Sequence, residues 1–374
     1  MIGAGAFAET TTVEGLTRVQ PEWRDLASRA AEPNAFAGSE FLLPALRLDG
    51  VGVPTILLAW PDASRARLIG VLALRLPPIG QGLARVWRSE QAGLAAAMFD
   101  AELIGEALEA VLAWLRPRSG VAGLILPAVE PGGAMARAVR ALAVRAALPL
   151  EEINPRRRAA LVVGGGARFE AALEKKRRKE WARQQRRLTE RGRLQAGLAE
   201  GADAVERFLA LEAKGWKGAR GTALAAEPRR LGFAREMLGA FTERDRLRIH
   251  ELALDGSAIA MGVVLRDGAR AFYWKTAYDE EFAEFSPGVQ LTLALSRRLE
   301  REPGLTLVDS CALQDHPMID RIWPGRIELV DFALAVAPER GGRLRAWLAA
   351  ERAASGLRER LKRIANRLRG RKIS

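Results

Sequence analysis

The chain has 374 residues, which is longer than one ordinary domain. Because 49% of its residues are hydrophobic, it can bury two hydrophobic cores. Its longest apolar runs, such as Pro54–Trp60 and Leu68–Leu76, are strand-sized and exclude a predicted membrane-spanning helix. The single cysteine, Cys311, excludes an internal disulfide and a cysteine-rich metal site. Because Met1–Gly15 lacks the basic and apolar pattern of a signal peptide, we expect a protein of the reducing cytoplasm.

The net charge of +13 is concentrated in two segments. Lys175–Arg193 carries +8 and Arg340–Ser374 carries +10, which leaves the rest of the chain at −5. The sequence therefore predicts a mildly acidic globule with two basic helices, rather than a protein that is basic throughout.

The first half of the chain predicts a small α/β unit. Two helical patterns come first, and three strand-like runs, a helix and a fourth strand follow. The predicted elements are helices over Trp23–Ala31 and Glu40–Leu48, strands over Thr55–Trp60, Leu68–Leu76 and Leu83–Ser89, a helix over Ala101–Leu115 and a strand over Val121–Leu126.

The second half predicts the same order more clearly. A basic helical segment and two apolar-faced helices precede three strands, which are separated by Asp255-Gly256 and Asp267-Gly268, dipeptides that favour tight hairpin turns. Because a helix then leads to a last short strand, we expect the final two strands to be parallel neighbours. The predicted elements are helices over Phe169–Arg191, Asp203–Lys214 and Pro228–Phe241, strands over Leu247–Leu254, Ala258–Arg266 and Ala269–Thr276, a helix over Pro287–Arg301 and a strand over Leu305–Asp309.

This repetition predicts two tandem copies of one α/β unit, joined near Gly164–Gly166. We expect mixed, mainly antiparallel sheets flanked by helices. The predicted domains are residues 1–165, residues 166–335 and a basic amphipathic helical tail over residues 336–374, in which Leu357, Leu361, Ile364 and Leu368 recur at helical spacing.

The start of the helix at Ser286-Pro287-Gly288 is the strongest candidate for an anion site. Ser286 can cap free amides, Pro287 suits the first helical position, and Gly288 leaves the backbone open to a phosphate. The amides of Gly288, Val289 and Gln290 would then face the anion at the positive end of the helix dipole. An ordinary helix start is the alternative. The matching place in the first half reads Ala97-Met98-Phe99-Asp100, so we expect only the second unit to bind such a ligand.

Several stretches of the second half resemble the GNAT superfamily of acetyltransferases, in particular its cellulose-biosynthesis (CelD/BcsL) type. The stretches are Lys175–Lys179, Leu211–Gly218 with Gly221–Leu224, Phe272–Asp279, Phe285–Gly288 and Asp309–Ala312. The resemblance covers roughly residues 168–326 well and the first half in outline. It implies two GNAT-like (acyl-CoA N-acyltransferase) units, of which the C-terminal one binds an acyl-CoA and the first has a degenerate donor site. It also implies kinship with Fem-type aminoacyl transferases. Where many members carry a Tyr-Lys pair and an aromatic, this chain reads Asp315–Trp323, so its acceptor side differs.

Acyl transfer from a thioester needs a rigidly held donor, an uncharged nucleophile and stabilisation of an oxyanion. The candidate general bases are Glu212, Asp309 and His316, and Tyr273 is a candidate acid for the departing thiolate. Alternatively, Asp309 caps a turn and His316 is a surface loop residue. Cys311 is better explained as a small buried thiol than as a nucleophile.

Other polar and aromatic residues frame the predicted site. Lys275 can bind a phosphate, Asp279 can order the loop, and Trp274 is a candidate substrate contact. Trp216 and Lys217 are candidates for substrate binding beside Glu212, with a salt bridge around a packed indole as the structural alternative. No His, Cys or Asp cluster has metal-ligand spacing, so no metal is predicted.

Three functions follow from these features. The first is an acyl-CoA-dependent N- or O-acyltransferase that acts by direct attack on a small-molecule or glycan acceptor, with polysaccharide or cell-envelope metabolism implied by the resemblance alone. The second is a Fem-like transferase that binds aminoacyl-tRNA through Lys175–Arg193. The third is a non-catalytic adaptor that contacts an anionic membrane through residues 340–374, unless that tail packs on the protein itself. No DNA partner is predicted.

Overall fold

The computed structural model describes residues 5–48, 54–165, 168–215, 218 and 220–370. For residues 359 and 362–370 it describes the backbone only. The predicted residues Trp216 and Lys217 therefore lie outside the described part of the chain. In the first half the elements are β1 (Phe7–Thr11), α1 (Val13–Arg18), α2 (Gln20–Ser28), α3 (Ser39–Leu48), β2 (Thr55–Trp60), β3 (Gly70–Arg75), β4 (Gly82–Val86), β5 (Ala97–Phe99), α4 (Ile104–Leu115), β6 (Val121–Val129), α5 (Ala134–Arg145) and β7 (Leu150–Val162).

The second half continues with the elements that carry the candidate site. They are α6 (Lys175–Thr189), β8 (Leu194–Leu198), α7 (Ala204–Lys214), α8 (Pro228–Glu243), β9 (Leu247–Leu254), β10 (Ser257–Asp267), β11 (Arg270–Tyr278), α9 (Pro287–Leu299), β12 (Leu307–Asp309), β13 (Gly325–Ala335) and α10 (Gly341–Gly370). Every predicted helix and strand has a counterpart among them. The basic segment is shorter than predicted, because a 3-10 turn over Phe169–Ala172 precedes α6.

All the strands join in one mixed sheet, which confirms the predicted α/β fold class. Its order is β1-β2-β3-β4-β6-β13-β7-β12-β11-β10-β9-β8, with β5 paired to β3. The predicted meander is confirmed, because β9, β10 and β11 pair antiparallel. The predicted parallel pair of β11 and β12 is also confirmed, and β4 and β6 form the corresponding parallel pair in the first half.

The two halves exchange strands at the centre of the sheet. β13, from near the end of the chain, pairs with β6 of the first half, while β7 of the first half pairs with β12. β13 and β7 then pair with each other over most of their length. Neither half therefore completes its sheet without a strand from the other.

The cores follow from this sheet. On one face, a single core joins α2 and α3 of the first half to α7 and α8 of the second. Phe36 and Phe272 lie edge to face across it, with ring centroids 5.1 Å apart, and Phe41 meets Phe233 at 5.6 Å. On the other face each half has its own core, one under α4 and α5 and one under α9. The shared core fixes the two halves against each other.

The basic tail forms the long helix α10, which has two different environments. Leu344 and Leu348 are buried against the sheet, beside the half-buried Trp347. Leu357 and Leu361 are 59% and 56% exposed. The first part of the helix thus packs on the protein, whereas the later part presents apolar side chains to solvent. Among the described helices, none is long and apolar enough to cross a membrane.

Candidate active site

The parallel strands β11 and β12 leave an opening in the sheet. β12 pairs with β11 only along Arg270–Phe272 and ends at Asp309. β11 continues to Tyr278, and on this side it has no partner strand within the described residues. Opposite β10 the register shifts at Trp274, which makes a β-bulge there. Beyond Phe272, β11 therefore borders this opening with no described strand beside it.

The helix α9 begins beside this opening, but not with the predicted cap. Ser286 has a left-handed backbone, with φ of 52°, and its side chain makes no capping hydrogen bond. Its carbonyl oxygen instead accepts hydrogen bonds from the amides of Val289, at 2.9 Å, and Gln290, at 3.1 Å. The predictions that the Ser286 hydroxyl caps the helix and that these two amides are free were therefore wrong. Within the described structure, the amide of Gly288 donates no hydrogen bond.

Gly288 lies in a narrow slot. A methyl group added to it would lie 3.5 Å from Cδ1 of Tyr278 and 3.9 Å from Sδ of Met318, both ordinary contact distances. The loop that carries His316 and Met318 therefore lies against the start of α9. This contact places the loop beside the free amide.

The basic helix α6 lies along the other side of this helix start. The side-chain amide of Gln290 donates to the carbonyl oxygen of Trp181 at 3.0 Å, and Arg187 pairs with Glu284 at 2.8 Å. Gln290 thus ties α6 to α9 through its side chain. The exposed cations of α6 accordingly lie near the positive end of α9.

Tyr273 is linked to the first turn of α9. Its hydroxyl lies 3.2 Å from Oγ1 of Thr292, which donates to the carbonyl oxygen of Gly288 at 2.7 Å. The ring is 5% exposed and packs on Trp323. Burial raises the pKa of the Tyr273 hydroxyl, although hydrogen bonds with Thr276 and Thr292 oppose this. Tyr273 therefore keeps its proton at neutral pH.

Asp309 is fully buried at the end of β12 and faces the first half of the protein. Arg158 of β7 pairs with its Oδ2 atom, and its Oδ1 atom accepts the amide of Cys311 at 2.9 Å. Burial raises the pKa of Asp309, although Arg158 and the Cys311 amide lower it in part. Burial and the neighbouring Asp309 carboxylate raise the pKa of the Cys311 thiol well above its usual value. Both oxygens of Asp309 are thus engaged within the protein.

His316 is half-buried in the loop beside Gly288. Its Nδ1 atom accepts long hydrogen bonds from the amides of Met318, at 3.3 Å, and Ile319, at 3.4 Å. A neutral imidazole that accepts at Nδ1 carries its proton on Nε2. In this arrangement His316 presents a hydrogen-bond donor.

Glu212, Lys275 and Trp274 lie on the other face of β11. The Oε2 atom of Glu212 accepts the amide of Leu224 at 2.9 Å, and its Oε1 atom lies 3.8 Å from Nζ of Lys275. The indole N–H of Trp274 donates to the carbonyl oxygen of Gln91, in the first half, at 2.6 Å. Trp274 is therefore an anchor between the halves, and the Lys275 ammonium lies 5.2 Å from its ring centroid.

Asp279 holds the turn that leads into α9. Its carboxylate accepts the amide of Glu281 at 3.1 Å and pairs with Nζ of Lys214 at 2.7 Å. This contact orders the 3-10 turn over Glu280–Phe285.

The structure brings some of the predicted residues together and separates others. Tyr273 and Gly288 share one hydrogen-bonded chain, and Glu212 lies beside Lys275. The three candidate bases Glu212, Asp309 and His316, however, each have their own hydrogen-bond partners. Sequence reasoning missed the partners Arg158, Thr292 and Lys214. Of these, only Arg158 had a visible sequence cue, the run Arg156-Arg157-Arg158 before an apolar stretch. Among the residues that the structure describes, no group of His, Cys, Asp and Glu could hold a metal ion.

Comparison with known proteins gives the family of this region and the fold of the chain. Residues 175–315 match the model of the acetyltransferase (GNAT) domain. No curated protein matches the sequence. The crystal structure of FemX matches with 12% identity and a TM-score of 0.53, over 87% of this chain and 96% of that chain. The C-terminal domain of a putative lysylphosphatidylglycerol synthetase from Agrobacterium fabrum matches with 12% identity and a TM-score of 0.52, over 90% and 96%.

At these identities the solved structures show the fold alone, which is an α/β fold like that of FemX. The family match goes further, because GNAT enzymes transfer an acyl group from an acyl-CoA to a small acceptor. Residues 175–315 therefore match a GNAT acetyltransferase domain, which implies an acyltransferase enzyme.

Proposed function

We propose that the protein transfers an acyl group, such as acetyl, from an acyl-CoA to an amine or hydroxyl by direct attack of the acceptor on the thioester. The observation that carries this proposal is the opening between β11 and β12, which lies beside the free amide of Gly288 at the start of α9. An extended thioester can lie along β11 while its pyrophosphate meets the helix start.

The charges around the opening suit such a donor. The Gly288 amide and the dipole of α9 favour negative charge, and the cations of α6 lie on the same side. Lys275 is largely buried and lies on the strand that would carry the thioester. We assign to the donor site the residues that shape this helix start, which are Ser286, Pro287, Gly288, Val289 and Gln290. Of these, we propose that only Gly288 donates a backbone hydrogen bond to the donor.

The chemistry needs a proton acceptor, a proton donor and stabilisation of an oxyanion. The acceptor attacks the thioester carbonyl, the carbonyl oxygen becomes negative, and collapse expels the thiolate. Tyr273 keeps its proton at neutral pH, which supports a role as the acid that protonates the thiolate. The Nε2–H of His316 can donate to developing negative charge. Glu212 stays a candidate base from the sequence, and its carboxylate is buried and accepts the Leu224 amide.

Asp309 has a different proposed role. Because Arg158 and the Cys311 amide occupy both of its oxygens, we propose that it positions the end of β12 and does not act as the base. We propose that Trp274 shapes the acceptor side and Asp279 the donor side, since Trp274 is held by the hydrogen bond it donates to Gln91 and Asp279 by the one it accepts from Lys214. Trp216 and Lys217 are still candidates for substrate binding from the sequence.

The biological setting that we propose comes from the sequence resemblance and from α10. The resemblance to the cellulose-biosynthesis type supports a glycan or cell-envelope acceptor. We place the protein in the cytoplasm, with the exposed apolar residues of α10 supporting peripheral contact with an anionic membrane. We also retain the boundaries at residues 165 and 335 as proposed limits of a donor-free first unit and a catalytic second unit.

A second candidate function is transfer from aminoacyl-tRNA, favoured by the exposed basic surface of α6 and by the likeness to the FemX fold. It predicts tRNA binding that weakens steeply with salt and is lost when Lys175–Lys179 are neutralised. Binding of acetyl-CoA without tRNA binding would exclude it.

The test of the first proposal is the substitution Gly288→Ala. The added methyl group fits within the protein, so we expect stability to be kept within about 1 kcal/mol. It would cover the free amide, and we expect affinity for acetyl-CoA, measured by calorimetry, to fall at least about tenfold. We also expect one acetyl-CoA per chain.

The matched control is Gly232→Ala in α8, where an added methyl group meets nothing within 4 Å. This variant should bind acetyl-CoA like the original protein. Equal affinity in both variants, or no detectable acetyl-CoA binding by the unchanged protein, would contradict the proposed donor site.

A further inference from the structure

A second cavity lies at the opposite end of α9, and the function proposed above does not use it. Its volume is about 460 Å³. Arg248 and His250 of β9 line one side, and Arg297, Arg298 and Arg301 line the other. We refer to this cavity as the arginine pocket. Its volume lies within the range of small-molecule sites in proteins.

Two of these arginines are neutralised by carboxylates of the protein. Arg248 pairs with Asp245 at 2.7 Å, and Arg297 pairs with Glu170 at 2.8 Å. These pairs fix the guanidinium groups at the rim of the pocket. These two ion pairs do not involve Arg298 and Arg301, the other arginines that line the pocket.

Arg298 and Arg301 form no ion pair within the described part of the chain. The carboxylate that also lines the pocket, Glu302, is occupied by Arg266 at 2.6 Å. The pocket thus holds two uncompensated guanidinium groups. The C-terminal end of α9 carries only about half a negative charge, so the local potential is positive.

His250 supplies an independent observation. Its side chain is buried, with 2% exposure, and its Nε2 atom has no hydrogen-bond partner in the described structure. A buried polar atom without a hydrogen-bond partner costs free energy. Such atoms are rare in proteins unless a ligand or a water molecule supplies the missing hydrogen bond. Burial, together with repulsion from Arg298 and Arg248, lowers the pKa of His250 to about 4, so the ring is neutral at pH 7.

We propose that the arginine pocket binds a small molecule through a phosphate group. The guanidinium groups of Arg298 and Arg301 suit the oxygens of a phosphate dianion, which can accept two parallel hydrogen bonds from each arginine. The Nε2–H of His250 can donate to a third oxygen from the floor of the pocket. The ligand class is therefore a phosphate ester or phosphate itself.

The arginine pocket is separate from the proposed donor site. Gly288 and Arg298 lie near opposite ends of α9, roughly ten residues or about 15 Å apart along the helix. Phosphate binding in the arginine pocket therefore does not depend on acyl-CoA binding, and the two sites can be tested independently.

The test measures binding of inorganic phosphate and of glycerol 3-phosphate to the full chain by calorimetry. We expect saturable binding at one site for at least one of them. The ligand with the higher affinity shows whether the pocket prefers free phosphate or a phosphate ester. The variant Arg298→Gln/Arg301→Gln should weaken this binding at least about tenfold. Both side chains are exposed, so the variant should fold.

The matched control is Arg345→Gln/Arg352→Gln on α10, which removes the same charge from exposed positions elsewhere. It should leave phosphate affinity unchanged. Addition of phosphate to the original protein should also shift the imidazole resonances of His250. The proposal would be overturned by the absence of saturable binding up to about 10 mM, by equal losses in both variants, or by competition between acetyl-CoA and phosphate for one site.

Discussion

The two halves of the molecule have the same strand order but different chemistry where the crossover helix begins. In the first half, the segment before α4 forms β5, and Asp100 is fully buried in ion pairs with Arg29 and Arg67. In the second half, the turn before α9 leaves the Gly288 amide with no hydrogen-bond partner among the described residues. The shared fold thus places a helix start in both halves, while the short segment before it decides whether an anion can reach the backbone.

The opening between the parallel strands also differs. Between the ends of β4 and β6 the first half has a cavity of about 70 Å³, lined in part by Val86, Leu126 and Glu32. This is well below the several hundred Å³ typical of ligand pockets. This small volume supports our proposal that the first half does not bind the donor.

The largest effect is expected where the two halves meet. The variant Arg158→Met leaves the Asp309 carboxylate buried without a counter-charge, so we expect the free energy of unfolding to fall by about 3–5 kcal/mol in chemical denaturation. Arg157→Met is the control, because the ion pair between Arg157 and Glu328 is exposed. This pair should contribute less than about 1 kcal/mol to the free energy of unfolding. Similar losses in the two variants would show that the buried pair does not hold the halves together.

The halves should also differ in their sensitivity to acid. β9 buries His250, whereas the corresponding strand of the first half, β2, contains no ionisable residue. The unfolded chain takes up a proton near pH 6.5, but folded His250 takes one up only near pH 4, so acid favours unfolding between these values. We expect about 3 kcal/mol less stability at pH 4 than at pH 7 from this residue.

This loss can be measured by comparing denaturation of the original protein and of His250→Gln at several pH values. The difference in stability between the two proteins should change steadily from pH 7 to pH 4 and then level off. A difference that is constant with pH would mean that His250 takes up its proton at the same pH in the folded and the unfolded protein.

The smallest effect is expected at the turn that distinguishes the second half. Lys214→Met removes the ion pair that holds Asp279, so the turn before α9 should become less ordered. We expect the dissociation constant for acetyl-CoA to rise roughly two- to fivefold in calorimetry. Glu281→Gln is the control, because it keeps the contact between Lys214 and Asp279, and its affinity should be unchanged. An unchanged affinity in both variants would remove this turn from donor binding.

Much of the fold was predictable because its elements have strong local patterns. Asp255-Gly256 and Asp267-Gly268 separate the strands of the meander, and both dipeptides lie at the predicted turns. Thr55–Trp60 and Leu247–Leu254 were predicted with the observed bounds, because each is a short run of strand-forming residues. The start of α9 at Pro287 was predicted from the proline itself.

The strands that were missed lack such patterns. β7 contains the polar run Glu151–Arg158, which is held as a strand by its pairing with β13, whereas β12 pairs only with the apolar end of β7 at Ala160–Val162. β13 is polar at alternate positions in its first half and comes after the last predicted strand. Their strand conformation depends on partners that are distant in the sequence, so no local window contains the information.

The sequence by itself determined the doubled α/β plan, the meander and the position of the helix start at Ser286-Pro287-Gly288, because turns, periodicity and proline act over a few residues. Only the tertiary structure decided which amide at that helix start is free and that Asp309 is paired with Arg158. It also decided that the Nε2 atom of His250 is buried beside arginines with no hydrogen-bond partner among the described residues. These properties depend on hydrogen bonds and burial between residues that are far apart in the chain, and such contacts exist only once the sheet has formed.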